Sequence, residues 1–312
     1  MIDCTRKEVR LDLLEAHVSQ FSQKLLECRT VNEVFFQMQA MCFAEVFQEA
    51  MSEASISGGA SKQAIWDTVR AAFSQCSDKW GSLRHSLNKP YGYAGDFEIL
   101  EYLYDQNTHH LTHPEYACFD EYVYQLNLIC AVRQRKDIIA LLLRSCHQQG
   151  LRSFCSIGSG GAREVFDEKD NLAGSEILLI DLDDRSFEFA KSRLADSDIE
   201  ISTAQLDARK LSFEREFDVI YSFGLFDYLK DKAVDRILTA AKGSLSPGGD
   251  LIYSIKDTNH YHPWLYDVFC DWRFISRETV AADDVATRNG LKVVQCIPTE
   301  NGAARVYVCQ VA

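Results

Sequence analysis

Phe154-Cys-Ser-Ile-Gly-Ser-Gly-Gly-Ala-Arg-Glu-Val165, followed by Ile177-Leu-Leu-Ile-Asp-Leu-Asp183, decides the fold. The order is a buried strand, a glycine-rich turn, a helix start, a second buried strand and an acid where that strand ends. Gly158, Gly160 and Gly161 let the backbone turn sharply and approach a ligand, and the helix that follows offers free N–H groups. Asp181 lies 23 residues after Gly158, the spacing of a ribose-binding carboxylate in a nucleoside-binding βαβ unit.

Working outward, Leu206-Asp207-Ala208 closes a third short run. Phe217 to Ser222 reads as a fourth strand, and Leu245-Ser-Pro-Gly-Gly-Asp250 is a turn into a fifth. Leu291 to Ile297 and Ala304 to Val311 form a closing strand pair around Asn301-Gly302. Ligands of doubly wound sheets sit beyond the carboxyl ends of the strands. Tyr221 and Ser222 at the end of strand four, with Phe223 and Gly224 just after it, are therefore placed to line a ligand. Asp227 caps a helix in the simplest reading. His260 and His262, after strand five, can remove a proton from a hydroxyl or amine, or can merely bond their loop.

The series resembles the class I S-adenosylmethionine-dependent methyltransferases over about residues 150–312. The resemblance implies a Rossmann-like α/β doubly wound sheet and S-adenosylmethionine as cofactor. It assigns the turn (Gly158, Ser159, Gly160, with Arg163) to the methionine part, Asp181 with Leu182 and Asp183 to the ribose, and Asp207 with Ala208 to the adenine. The chain departs from the family at Ser156, where an acid is usual. NAD, which uses the same turn and acid, is the competing ligand; the Pro-Gly-Gly turn and the Asp-Ala pair favour the methyl donor.

With 33 basic against 46 acidic residues, the net charge of −13 disfavours nucleic acid and anionic membranes as partners. Eleven scattered cysteines without a Cys-x-x-Cys pair fit reduced thiols in a cytoplasm. No apolar run approaches a membrane span. His109, His110 and His113 read as a surface turn rather than a metal site, so no metal is expected.

Residues 1–149 are expected to form a helical N-terminal cap domain, and 150–312 the cofactor-binding domain. Three- and four-residue apolar spacing predicts helices over about 6–28, 32–54 and 61–79, with Thr30 or Asn32 as a cap and Gly58-Gly59 as a turn. The Phe and Met stripe in 35–47 is core by default, but can also serve as a homodimer face or an acyl-chain groove. A further helix runs from Phe97 behind an Asp96 cap, and helical pattern returns from Glu115 to Gln149.

Lys89-Pro-Tyr-Gly-Tyr-Ala-Gly-Asp-Phe-Glu98 reads as a shaped loop. With Gly158 to Val165, Asp271-Trp272 and Arg277, it is similar to the bacterial 3-hydroxypalmitic acid methyl ester biosynthesis family over about residues 85–312. That resemblance implies a small hydrophobic acceptor such as a (hydroxy) fatty acid. A carboxylate acceptor needs a cation or donor to orient it, with Arg163, Lys256 and Tyr93 as candidates. A hydroxyl acceptor makes His260, His262 or Asp96 more important. Methylation at O or N of another metabolite, and a non-catalytic S-adenosylmethionine-binding protein, are the alternatives.

Overall fold

The computed structural model describes residues 10–56, 60–108, 110–275 and 277–311; Gly58-Gly59 and His109 lie outside them. In chain order the helices are α1 Leu11–Glu27, α2 Val31–Phe43, α3 Glu45–Ile56, α4 Ala60–Lys79, α5 Gly81–Asn88, α6 Phe97–Tyr104, α7 Ala117–Gln125 and α8 Asn127–Gln148. Then β1 Ser153–Ile157, α9 Arg163–Asp167, β2 Ser175–Asp181, α10 Asp184–Leu194, β3 Ile199–Gln205, β4 Phe217–Ser222, α11 Asp231–Lys242 and β5 Leu245–Lys256 alternate. The chain ends with α12 Pro263–Phe269, α13 Thr279–Arg288, β6 Leu291–Pro298 and β7 Ala304–Val311.

Two compact units result. One holds the described residues up to Gly95, Gln106–Gln125 and Trp264–Trp272; the other holds Asp96–Asp105, Leu126–Pro263 and Arg273 onward. Beside the expected division at 149/150, α6 and α8 go with the sheet, and a short segment after β5 goes with the N-terminal helices.

In the helical unit, Thr30 caps α2 through a reciprocal capping box with Glu33. The helix expected over 32–54 is instead two, because Ala44 is extended (ψ 141°) between α2 and α3. Gln48 Nε2 reaches back to Cys42 O across the break. No proline or glycine marks this break in the sequence. Val34, Met38 and Met41 are core, whereas Phe35, Phe36 and Phe43 are 48–70% exposed, so the apolar stripe is only partly interior. Arg70 donates to the carbonyls of Asp267 and Val268 and to Asp271, and Lys89 pairs with the other Asp271 oxygen at 2.5 Å. A Cβ on Gly95 would lie 2.2 Å from the Trp272 indole. The Lys89–Asp96 loop and the Asp271-Trp272 pair, distant in sequence, thus form one packed feature.

The sheet unit carries seven strands in the order β3-β2-β1-β4-β5-β7-β6. β1 to β5 are parallel; β7 runs antiparallel to β5, and β6 antiparallel to β7. One face buries Cys155, Ile157, Phe226, Ile237 and Tyr253; the other buries Ile139, Phe154, Val165, Phe187 and Tyr221. Residues of α8, α9 and α10 thus cover one face and residues of α11 and α13 the other, the Rossmann-like arrangement in which parallel strands are shielded on both sides. The expected turn at Pro247-Gly248-Gly249 is a bulge inside β5: the register to β4 shifts there, and a Cβ on Gly249 would sit 2.7 Å from Asp218 O. The helix expected from Glu115 to Gln149 is interrupted at Leu126, which is extended (ψ 134°) between α7 and α8.

Candidate active site

The glycine turn leaves β1 at Gly158 (φ +72°) and Gly160 (φ +50°), and Ala162 (φ +51°) turns the chain into the five-residue α9. Side chains are excluded here for steric reasons as well. A Cβ on Gly158 would lie 3.0 Å from Leu225, and one on Gly161 2.9 Å from Glu101 Oε1 and 3.1 Å from Phe189. The N–H groups of Gly158 and Ser159 both reach Ile180 O, binding the turn to the end of β2. Ser159 Oγ is buried without a partner.

Asp181 closes β2. Its two carboxylate oxygens accept from Gly160 N (2.8 Å) and Asp183 N (3.0 Å), one bond each, so both keep lone pairs for a ligand hydroxyl. Burial pushes this carboxyl above its ordinary range, while the N–H groups of Asp183, Gly160 and Leu182 pull it down. Asp183 caps α10 through Arg185 N. Leu182 is 62% exposed and Leu206 45%, and Leu206 N bonds Asp181 O, so two bare leucines stand at adjacent strand ends. Leu206 was not among the expected site residues; its signal is an apolar side chain where β3 gives way to Asp207. Asp207 caps the short turn at Ala208 and is bracketed by Arg209, whose guanidinium and N–H lower its carboxyl to about 2.

Arg163, expected in cofactor binding, is engaged by Glu101, Asp105 and Asp167. Arg193 also pairs with Glu101, and Phe97 packs on Phe189. These contacts fix α6 over α9 and α10, with Phe97 Cβ 3.8 Å from where a Cβ on Gly160 would stand. Asp96 is the α6 cap, buried and accepting from Ile99 N. Tyr93 lies in the helical unit and is 38% exposed.

At the end of β4, Ser222 Oγ donates to Ile157 O, and Phe223 stacks on Tyr221. Asp227 does not cap a helix: α11 starts behind Lys230. Its buried carboxylate instead receives Arg135 Nη1 (3.0 Å), the Lys256 N–H (3.1 Å) and, at 3.5 Å, Lys256 Nζ. Burial drives the Lys256 ammonium down to about 7, against the pull of Asp227. Its Nζ lies 3.3 Å from the Phe274 ring centre and 5.9 Å from that of Tyr228; Arg135 stands over Phe223 and beside Gly224 (φ +95°). Arg277 donates to Phe226 O, Leu229 O and Asp231, pinning the loop that carries Asp227. Arg135 lies on α8, outside the sheet motifs, and no local pattern marks it.

After β5, Asp257 caps a turn over Thr258–His260. His260 Nδ1 lies 3.5 Å from Asp257, and its ring packs on Gly302. His262 is exposed. His113 lies 3.4 Å from Glu115, and among the described residues no three His, Cys, Asp or Glu side chains gather as a metal site.

Residues 155–249 match a family model described as a methyltransferase domain. No curated protein matches the chain. A possible exported protein from Bordetella parapertussis is 18% identical, covering 96% of this chain and 97% of that one at a TM-score of 0.59, which shows a shared fold. Magnesium protoporphyrin IX methyltransferase from Synechocystis PCC 6803 is 12% identical over 60% of this chain and 87% of its own (TM-score 0.47). An S-adenosylmethionine-dependent methyltransferase from Clostridium acetobutylicum is 11% identical over 62% and 99% (TM-score 0.45). Residues 155–249 of the sheet unit thus match a methyltransferase domain, and the fold is the Rossmann-like arrangement joined to an N-terminal helical region.

Proposed function

We propose that this S-adenosylmethionine-dependent methyltransferase esterifies the carboxylate of a small hydrophobic acid, of the fatty or hydroxy-fatty class implied by the resemblance to 3-hydroxypalmitic acid methyl ester biosynthesis proteins. The observation that carries this reading is the buried cluster beyond β4 and β5. There two cationic side chains, Arg135 and Lys256, share one carboxylate, Asp227. Arg135 Nε is buried without a hydrogen-bond partner, and an incoming carboxylate would supply one. Phe223, Tyr228 and Phe274 beside it suit an apolar chain.

In this reading Gly158, Ser159 and Gly160 hold the methionine part of the donor. Asp181, with Leu182 and Asp183, takes the ribose. Leu206, Asp207 and Ala208 flank the adenine, and Ser222, Phe223 and Gly224 line the passage to the acceptor. The orphan Ser159 hydroxyl and the unused lone pairs of Asp181 fit such a ligand. Bound there, S-adenosylmethionine supplies a methyl group on a positively charged sulfur. A carboxylate is already a nucleophile, so the chain's work is to align it and exclude water. Arg135 and Lys256 do the aligning, and the anion draws the proton back onto Lys256.

One observation favours a second reading. An ammonium brought down to about 7 is partly neutral at neutral pH and can take a proton from a hydroxyl or amine, which would give O- or N-methylation of another metabolite. The test uses methyl-labelled donor with a panel of fatty acids, hydroxy-fatty acids, phenols and amines. Mild base releases labelled methanol from an ester but not from an ether or methylamine. Base-stable product as the main outcome replaces the first reading with the second. Arg135→Gln and Lys256→Met should lose ester formation while keeping donor binding. The exposed Phe35, Phe36 and Phe43 of α2 support a homodimer through the N-terminal helices, which sedimentation equilibrium checks.

A further inference from the structure

We propose that the carboxyl of Glu164 receives the α-ammonium group of the donor's methionine part; this rests on the donor site assigned above. Glu164 follows the glycine turn directly and is fully buried. Its Oε1 accepts from the Tyr221 hydroxyl at 2.8 Å, while Oε2 has no hydrogen-bond partner. Tyr221 pairs in register with Ser156. The first acid after the turn is therefore held by a phenol from the strand beside β1. Ser159 Oγ, within the turn, is a second buried atom without a partner. Buried polar atoms are rarely left so, and two of them within six residues mark a hydrogen-bond set that a ligand completes.

The neighbours decide which ligand. Glu101 and Tyr104 face Glu164 from α6, Arg163 and Asp167 from its own helix, Arg135 and Lys136 lie on α8, and Tyr221 on β4. Arg163 is bonded to three other carboxylates, Lys136 to Asp137 and Asp167, and Arg135 to Asp227. Burial pushes the Glu164 carboxyl up to about 7 against the pull of the Tyr221 hydroxyl, and the fields of Glu101 and Asp167 add to the rise. What fits an open oxygen in such a place is a cationic donor, and a primary ammonium is the one the methyl donor carries. Pairing with it favours ionised Glu164, so binding releases a proton when the pH is below about 7.

The experiment is calorimetric titration of the full chain with S-adenosylhomocysteine and with its deaminated analogue between pH 5.5 and 8.5, alongside Glu164→Gln. Affinity for S-adenosylhomocysteine should fall by up to about tenfold per unit as the pH drops below about 7. The deaminated analogue should bind more weakly at pH 8 and without that slope. Glu164→Gln should bind S-adenosylhomocysteine at least tenfold more weakly at pH 8 and also without slope. Binding with a flat profile, or the same slope for both ligands, overturns the proposal alone. Failure of the folded protein to bind any of these ligands overturns the donor site with it. The two-ligand comparison in the unmodified chain decides the matter even where Glu164→Gln does not fold.

Discussion

The ends of β1, β2 and β3 are shaped by backbone. Gly158 and Ser159 N–H groups meet Ile180 O, Gly160 N–H meets Asp181, and the glycines leave room where side chains would collide. The ends of β4 and β5 are shaped by buried side chains drawn from afar: Arg135 from α8, Asp227 after β4, Lys256 at the end of β5, and Arg277 beyond them. A backbone site accepts a ligand of fixed outline, which suits a donor common to many enzymes. A site of buried charges is set by whichever side chains the helices and loops bring, which suits an acceptor that differs from one enzyme to the next.

The sharpest way to break this contrast is Asp227→Ala. It leaves Arg135 and Lys256 buried without their shared anion and should cost about 3–5 kcal/mol of stability in a denaturant titration. A loss under about 1 kcal/mol would mean that the cluster is not the charge-bound element described. Asp181→Ala belongs at the other end. Donor affinity should drop about 13- to 160-fold, the value of a lost hydrogen bond to a charged group, and the denaturation midpoint should fall modestly because the Gly160 and Asp183 N–H groups lose their acceptor.

The dependence of stability on pH separates the two ends by sign. Glu164 is raised from its ordinary 4.5 to about 7, so its stabilising contribution is present below 4.5 and is lost as pH rises through 7. Lys256 is lowered from 10.5 to about 7, so its contribution is present above 10.5 and is lost as pH falls toward 7. Denaturation followed from pH 5 to 10 should therefore show a dip near neutrality, with Glu164→Gln flattening the acid side and Lys256→Met the alkaline side. The smallest effect concerns the link between the ends. Ser222→Ala removes the bond to Ile157 O and should cost about 1 kcal/mol, with modest losses in both donor and acceptor binding.

The structure at the ends of β1 to β3, the proposed donor end, was largely legible in the sequence because its signals are local. Glycines that need positive φ, a strand-terminal acid and a following cap are contiguous, and the succession of strands along the chain follows from alternating apolar runs. Asp96, Thr30 and the Asn301-Gly302 hairpin turn were readable for the same reason. The acceptor end was not. Asp227 resembles a helix cap until its partners, 92 residues before and 29 after, are in place. Arg163, expected to bind the cofactor or orient an acceptor, is engaged by acids that no local pattern ties to it: Glu101 on α6, Asp105 just after it and Asp167 at the far end of α9. The breaks at Ala44 and Leu126 carry no proline or glycine, so periodicity runs through them.

The clasp between Lys89 and Asp271 bears on synthesis as well as on the finished molecule. The partners are 182 residues apart, and Arg70 holds the same downstream segment. A ribosome that has released the N-terminal helices has not yet supplied the strip that Arg70 and Lys89 grip. Translation must pass residue 272 before those helices can close on all their contacts, so the nascent helical bundle waits, with part of its interior uncovered, for most of the polypeptide to be made. Ending a recombinant fragment at Gly95 would make that interval permanent.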